Sequence, residues 1–393
     1  MKVKQRPEDF QVEEVTDLVA GRDGPFAFYR LEKSGWSTPD ALAAVRRRWQ
    51  IDLQRLSYGG LKDRHANTIQ YLTIHNGPRR GLRHHTVTLH YLGQVLSPYT
   101  SADIVCNRFR ITLRDLPKAQ RETIATRIAR VAQQGVPNYF DDQRFGSVTG
   151  LGGEFIARLL VKGQFEEGLK LALTAPYAHD RAPQKAEKQT LLRHWGDWER
   201  CKQLLPRGHA RSLVDYLRLH PGDFKGAVAR LRPDLRGLYL SAYQSHLWNR
   251  LLARWLTDHL PVERLELIQL RLGPVPFPRQ LEEAEQTALE TLNLPLPTSR
   301  WKPAADDPRL PLVEAVLAED SLTLRDMQIR GLRTLFFSRG ERAALCPVQG
   351  LQEHFSDDDR HPGRLALTLA FELPRGSSAT LVVKAVTGQV DPS

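Results

Sequence analysis

Apolar and polar residues alternate at every second position, the pattern of a half-buried β-strand, near both ends of this 393-residue chain and rarely between them. Early on, Phe10 and Val12 alternate with polar neighbours, Thr68 to His75 makes a longer run, and Phe109, Ile111 and Leu113 oppose a basic stripe of Arg108, Arg110 and Arg114. Late in the chain, Leu365, Leu367, Leu369 and Phe371 alternate with Ala366, Thr368 and Ala370, and Thr380 to Val386 reads as a further strand after a Pro-Arg-Gly turn. From about Gly153 the apolar spacing is helical instead: Phe155, Ile156, Leu159 and Leu160, then Leu169 to Leu173, then Trp248, Leu251, Leu252, Trp255 and Leu256. A chain of this length exceeds the size at which one core stops growing, so two domains are expected. Strand-rich ends around a helical middle predict an α+β protein whose last strands complete the sheet begun by its first. The expected division is 1–152 for the first part of the sheet domain, 153–335 for an inserted, mainly helical domain, and 336–393 for the closing strands.

Local signals refine this outline. Ser37-Thr38-Pro39-Asp40 joins a hydroxyl cap, a first-turn proline and an acid, and predicts a helix with Leu42, Val45 and Trp49 inward. Arg46, Arg47 and Arg48 cluster at its end, where cations suit either the helix dipole or a phosphate. Lys118 to Gln134 sets Ile124, Ile128, Val131 and Ala132 on one helical side, stopped by Gly135. Ser241 is expected to cap the helix carrying Trp248. The proline-punctuated stretches Leu272 to Pro278 and Leu294 to Pro311 read as loops. The polar run His179 to Arg193 reads as a surface connection. Asp357-Asp358-Asp359 lacks the glycine and closing glutamate of a calcium loop and reads as a solvated turn.

Charge narrows the partners. The 56 Lys+Arg exceed the 45 Asp+Glu, giving a net +11 and a pI near 9.7, an excess found on proteins that bind RNA, DNA or anionic membrane. Every apolar run falls short of the roughly 18 residues needed to span a bilayer, and the N-terminus carries no signal-peptide core, so the chain reads as a cytoplasmic protein without a membrane segment. Cys106, Cys201 and Cys346 fit neither a disulfide framework nor a thiolate metal site. His84, His85 and His90 lack a cysteine or acid at ligand spacing, so no metal site is predicted. The basic loop Arg79 to His85 is a candidate for nucleic-acid contact.

Two stretches carry candidate chemistry. In Tyr58-Gly59-Gly60-Leu61-Lys62-Asp63-Arg64-His65-Ala66-Asn67-Thr68-Ile69-Gln70 a carboxylate lies between two cations, after a glycine pair and before a strand. The flanking cations favour the ionised form of Asp63, which then serves either as a structural anion or as a nucleophile toward an electrophilic carbon. From spacing alone the plainer reading, a solvated Lys-Asp-Arg turn, leads. A Walker-type phosphate loop is excluded because its Gly-Lys-Ser/Thr ending is absent. In Val136-Pro137-Asn138-Tyr139-Phe140-Asp141-Asp142-Gln143-Arg144-Phe145-Gly146, three rings and two amides crowd a loop. They either anchor it to a core or offer a ring for base stacking beside hydrogen-bonding amides.

With these residues in view, the chain resembles the TruD family of tRNA pseudouridine synthases over nearly its whole length. The resemblance rests on Lys4 with Pro7-Glu8-Asp9-Phe10, on Gly60-Leu61-Lys62-Asp63-Arg64-His65-Ala66 with Thr68 and Gln70, on Asn138-Tyr139-Phe140 with Gln143-Arg144-Phe145-Gly146, and on Ser241-Ala242 with Ser245 and Asn249. It implies a pseudouridine-synthase catalytic domain with a mixed or antiparallel sheet in a cleft, interrupted by an inserted helical domain. It implies Asp63 as the catalytic aspartate, Lys4 as its basic partner, Phe140 as the ring stacked on the target base, and Asn138 and Phe10 as neighbours that shape the site. Gln70, Lys62 and Arg144 are implied as substrate-binding positions. The implied substrate is tRNA, at uridine 13 of the D arm, handled by a monomer that needs no metal or cofactor. Two other classes are weighed against this: an RNA-binding or RNA-folding module without catalysis, which has no need of Asp63 and Lys4, and a base-releasing hydrolase, which calls for paired carboxylates. The chain departs from the family at Gly376-Ser377-Ser378-Ala379-Thr380, where an aromatic often follows Gly-Ser, and at Lys384-Ala385 in place of Arg-Glu. Phe336 and Phe337 are the candidates for a second ring, and Arg342 matches an arginine motif.

Overall fold

The computed structural model describes residues 1–148, 153–177 and 180–388. It comprises two compact units, Met1–Val136 with Cys346–Ser393, and Pro137–Leu345. The division expected at 152/153 adjoins residues 149–152, which lie outside the described residues, as does His179. Mixed helices and a mixed sheet make the chain α+β.

The first unit is built on a sheet with the spatial order Gln349–Asp357, Leu365–Pro374, Cys106–Leu116, Phe10–Val15, Asn67–His75, Phe26–Ser34, Val87–Val95, Leu82–His84. Neighbours are antiparallel except Phe10–Val15 and Asn67–His75, which run parallel with Val12 opposite Thr68. Leu365–Pro374 lies against Cys106–Leu116, with Leu369 opposite Ile111, so C-terminal residues do extend a sheet begun near the N-terminus. Tyr29, Leu31, Leu72, Ile74 and Leu89 share one buried face and pack on Ala41, Leu42 and Val45 of the helix Thr38–Trp49. That helix starts as its sequence predicts: the Ser37 hydroxyl accepts the Asp40 N–H at 3.2 Å. The opposite face is apolar at one end, where Phe28 and Tyr71 pack with Val95, Tyr99 and Ile104, and polar at the other. Gln11, Glu13, Glu32, Arg108 and Arg110 help line a cavity of about 740 Å³ on it.

Four expectations for this unit are corrected. Thr380 to Val386 is not a strand but part of the helix Ala379–Thr387, closed by Gly388 at φ 64°. The stretch is nearly continuous in apolar residues, which suits a buried strand as well as a helix, and Ala379, Val382, Val383 and Val386 fall at the i, i+3, i+4, i+7 spacing of a helix. Packing against the helix Arg121–Gln134, through a face that includes Ile124, Ile128 and Val131, decides between them; Ala132 is exposed rather than on that face. Arg114 leaves the basic stripe: it is buried, and its guanidinium bonds both carboxylate oxygens of Asp9 at 2.8–3.0 Å and Asp358 at 3.1 Å, with Asp359 also paired. For the same reason the aspartate run is not a solvated turn, since Asp358 is buried and receives the Asp115 N–H at 2.7 Å.

The second unit is organised on the helix Pro233–His259, 27 residues long, or about 40 Å at 1.5 Å per residue. Tyr243, Leu247, Trp248, Leu251, Leu252 and Leu256 are its fully buried side. Ser241 lies inside this helix rather than capping it, and its hydroxyl donates back to the Leu238 carbonyl at 3.1 Å. The true start is Pro233 with Asp234 in the first turn. Gly273–Pro278 is a strand, not a loop, paired antiparallel with Leu265–Leu270. Pro274, Pro276 and Pro278 have the same parity, so all three missing N–H groups fall at positions that point away from the partner strand. The Pro276 carbonyl, also turned away, accepts the Tyr139 hydroxyl at 3.0 Å. The stretch expected as a surface connection is largely the helix Ala182–Arg193, with Pro183 in its first turn.

Candidate active site

In the first unit the stretch 59–66 enters the strand Asn67–His75 through a frame of buried polar groups. Gly59 uses its small size rather than an unusual φ, since a Cβ there would sit 2.6 Å from Ile104 Cδ1. The Lys62 N–H donates to Thr38 Oγ1 at 2.9 Å, Thr38 Oγ1 donates to Gln70 Oε1 at 2.8 Å, and Gln70 Nε2 donates to the Gly60 carbonyl at 3.3 Å. Lys33, 3 % exposed, donates from Nζ to the carbonyls of Trp36 at 2.8 Å, Asp63 at 2.9 Å and Lys62 at 3.5 Å. The Lys62 side chain turns inward, pairing with the fully buried Glu14 carboxylate at 2.9 Å and donating to Asn107 Oδ1 at 2.7 Å. The loop backbone is therefore fixed from beneath by ordinary and charge-assisted hydrogen bonds.

The Asp63 carboxylate is partly exposed and bonded by the Lys4 ammonium through Oδ2. Its other oxygen, Oδ1, accepts the His65 N–H at 3.2 Å. Lys4 adopts φ 57°, a left-handed conformation that turns the terminal segment back. Its Nζ also lies 4.2 Å from the centroid of the Phe10 ring, an attractive cation–π geometry. Phe10 itself is buried and edge-on to Phe109 at 6.4 Å. Burial works to raise the Asp63 pKa, but the Lys4 hydrogen bond and charge, then His65, outweigh it and hold the carboxyl below its ordinary 3.8. Burial lowers the Lys33 pKa to about 8, opposed by the Asp63 carboxylate and assisted by the Lys62 charge.

Of the residues singled out in the sequence, the first unit thus brings Lys4, Phe10 and Asp63 into contact and sets Lys62 and Gln70 in the frame behind them. Lys33 escaped the sequence reading. Its signal was a cation two residues from Leu31 on the inward parity of a strand, a position at which a charge needs partners.

In the second unit Asn138, buried, is clamped by Arg342: Nε donates to the Asn138 carbonyl at 2.9 Å and a terminal nitrogen to Oδ1 at 2.6 Å. Asn138 Nδ2 donates to the Ala343 carbonyl at 3.0 Å. Phe140 is held at both ends of its peptide unit by Asn249, which accepts its N–H at 2.7 Å and donates to its carbonyl at 2.8 Å. Its ring stands edge-on to Trp248 at 5.5 Å, with the Arg342 guanidinium 4.3 Å and that of Arg144 5.3 Å from its centroid. Arg144 is exposed. The loop's rings divide: Tyr139 and Phe145 are buried anchors, whereas Phe140 is half-buried. Arg342 gains a clear structural task here, and Asn249 is the partner that the Ser241 to Asn249 motif supplies.

Comparison with known proteins shows which family the whole chain matches. The family model described as tRNA pseudouridine synthase D (TruD) matches residues 1–386. A Methanococcus maripaludis protein named "Probable tRNA pseudouridine synthase D 1" is 30% identical over 98% of this chain and 99% of its own length. The tRNA pseudouridine synthase D of Aquifex aeolicus is 29% identical over 98% of this chain and 97% of its own. A crystal structure of a Methanosarcina mazei protein assigned as TruD superposes with a TM-score of 0.74 at 25% identity, covering 99% of this chain and 93% of that one.

Proposed function

The chain belongs to the tRNA pseudouridine synthase D (TruD) family, and from that premise we propose that it isomerises uridine to pseudouridine in tRNA, at uridine 13 of the D arm, with Asp63 as the nucleophile. In this reaction the bond from ribose C1′ to N1 breaks and a bond from C1′ to C5 forms, while C5 gives up a proton and N1 acquires one. The atoms balance without an oxidant, a metal or a cofactor. Asp63 attacks C1′ as the uracil leaves through N1. The freed base turns while stacked on Phe140, and C5 then attacks C1′ and expels the carboxylate. The observation that carries this reading is the Asp63 carboxylate bonded to Lys4 and to the His65 N–H, because a nucleophile of this kind must be ionised.

The remaining residues take supporting roles. Asn138 and Phe10 shape the surroundings of the base. Gln70 and Lys62 serve the substrate through the loop they hold, and Arg144 meets an RNA phosphate from its exposed position. The target uridine has to leave its stack, and the cost is offset by phosphate contacts to the basic surface, Arg108 and Arg110 included. The enzyme acts on tRNA as a cytoplasmic monomer.

Substitution of Asp63 tests the assignment. Asp63→Asn and Asp63→Ala should abolish pseudouridine formation in single-turnover assays while tRNA affinity stays within a few-fold of the parent. Substantial conversion by Asp63→Ala would remove Asp63 from the mechanism.

A further inference from the structure

Among the described residues, Phe336 is the one exposed aromatic, with 57% of its surface accessible. Its neighbour Phe337 is buried, so of the two candidates for a second ring only Phe336 is presented to solvent. The Arg300 guanidinium lies 4.4 Å from the Phe336 centroid and also donates to the Phe337 carbonyl, which fixes a cation on one face of the ring. Beside it is a cavity of about 250 Å³ whose walls include Arg236, Gly237, Ser241 and Gln244 of the helix Pro233–His259, with Thr334 and Ser338 across from them. A Cβ at Gly237 would meet no heavy atom within 4 Å, so a side chain there would project into open space rather than pack. None of the described lining residues is acidic, and Arg333 and Arg339 are exposed a few residues from the ring.

An exposed ring backed by a guanidinium, a cavity whose walls carry the Ser241, Thr334 and Ser338 hydroxyls beside apolar Pro233 and Leu240, and a surplus of arginine are together the requirements of an unpaired nucleobase and its phosphate. We infer that this cavity binds a second, non-target base of the tRNA, stacked on Phe336. It is separate from the Phe140 position: Ser241 at the cavity and Asn249 at Phe140 are eight residues apart on one helix, which is about 12 Å along its axis. The inference rests on the tRNA-modifying activity proposed above and gives that activity a recognition element, a fixed base that selects which uridine is offered for chemistry.

The test compares the parent with Phe336→Ala, Phe336→Trp and Gly237→Leu. The last adds bulk to the cavity from an exposed helical position where the fold tolerates it. Equilibrium binding of an unmodified tRNA transcript is measured together with the 2′-hydroxyl acylation pattern of the bound RNA. Loss of one stacked base should weaken binding roughly tenfold for Phe336→Ala, with a similar loss for Gly237→Leu and near-parental binding for Phe336→Trp. One nucleotide protected by the parent should become reactive in both weakened complexes. Affinity and protection unchanged in Phe336→Ala and Gly237→Leu would overturn the subsite. Parent protein that modifies no tRNA would instead overturn the activity it rests on, so the two failures are distinct.

Discussion

Replacing Lys33 by methionine should leave the protein about as stable as the parent at pH 7, abolish one component of its pH-dependent stability, and slow its chemistry. Burial brings the Lys33 pKa down to about 8 from the ordinary 10.5. At about 1.4 kcal/mol per pH unit, holding that ammonium inside the fold costs on the order of 3 kcal/mol at neutral pH. The carbonyls of Trp36 and Asp63 accept from it at 2.8 and 2.9 Å, and at about 1.5 kcal/mol for each hydrogen bond from a charged group their loss in Lys33→Met roughly cancels the relief. The sign of the pH effect follows from proton counting. Between about 8 and 10.5 the unfolded lysine keeps its proton and the folded one has lost it, so Lys33 adds stability as pH rises through that window. Urea unfolding of both proteins at pH 7 and pH 10 should show the parent gaining about 2–3 kcal/mol relative to Lys33→Met. Because the bonds to the Lys62 and Asp63 carbonyls hold the Asp63 loop, the variant's single-turnover rate should fall at least tenfold, as expected when a reacting group drifts by a fraction of an ångström. Parallel stability differences at the two pH values would refute the buried-charge argument, and an undiminished rate would refute the loop-holding one.

Lys4→Met removes the group that outweighs burial at Asp63, so the acid limb of the pH–rate profile should move to higher pH and the chemical step should slow far more than binding weakens; an unmoved limb would free Asp63 of any dependence on Lys4. Phe140→Ala should slow turnover roughly tenfold, since stacking on one ring is worth about 1–3 kcal/mol, with Phe140→Tyr partly tolerated. Thermal stability and active-site-normalised rate measured on the same preparation decide this, because a destabilised but fully active variant marks Phe140 as a loop anchor only. Arg114→Met should cost about 3–5 kcal/mol at pH 7 by leaving Asp9 and Asp358 buried without their cation. Burial works to raise the Asp358 pKa, but the Asp115 and Arg360 N–H groups and Arg114 outweigh it, so the penalty should shrink as pH falls and Asp358 takes up its proton, and a penalty independent of pH would point to lost packing instead.

Much of the first unit was legible because short-range chemistry dictated it. The Ser37 cap, the alternating runs ending at His75 and at Phe371, and the Gly135 stop each depend on neighbours within a few residues, and each formed as read. The failures share a cause. Thr380 to Val386 is apolar at both parities and so suits a buried strand or a helix, and only the partner helix Arg121–Gln134 selects one. Pro274, Pro276 and Pro278 look prohibitive until register shows their missing donors pointing off the partner strand. Arg114 shares the parity of Arg108 and Arg110 yet is buried, because Asp9 and Asp358, 105 and 244 residues away, close over it.

The sequence by itself determined the α+β class, the basic charge, the family resemblance and the presence of Asp63 between two cations at a strand entry. Those properties are carried by residue identity and by spacing along the chain, which folding does not alter. Which of the nearby cations faces the carboxylate was a tertiary decision. Adjacent Lys62 turns inward to Glu14, whereas Lys4, 59 residues distant, reaches Asp63, and Lys33 holds the loop beneath it. Side chains next to one another on an extended backbone point to opposite sides, so contact with a neighbour in sequence is the exception, and the charge environment of Asp63 had to come from segments that only the folded sheet brings together.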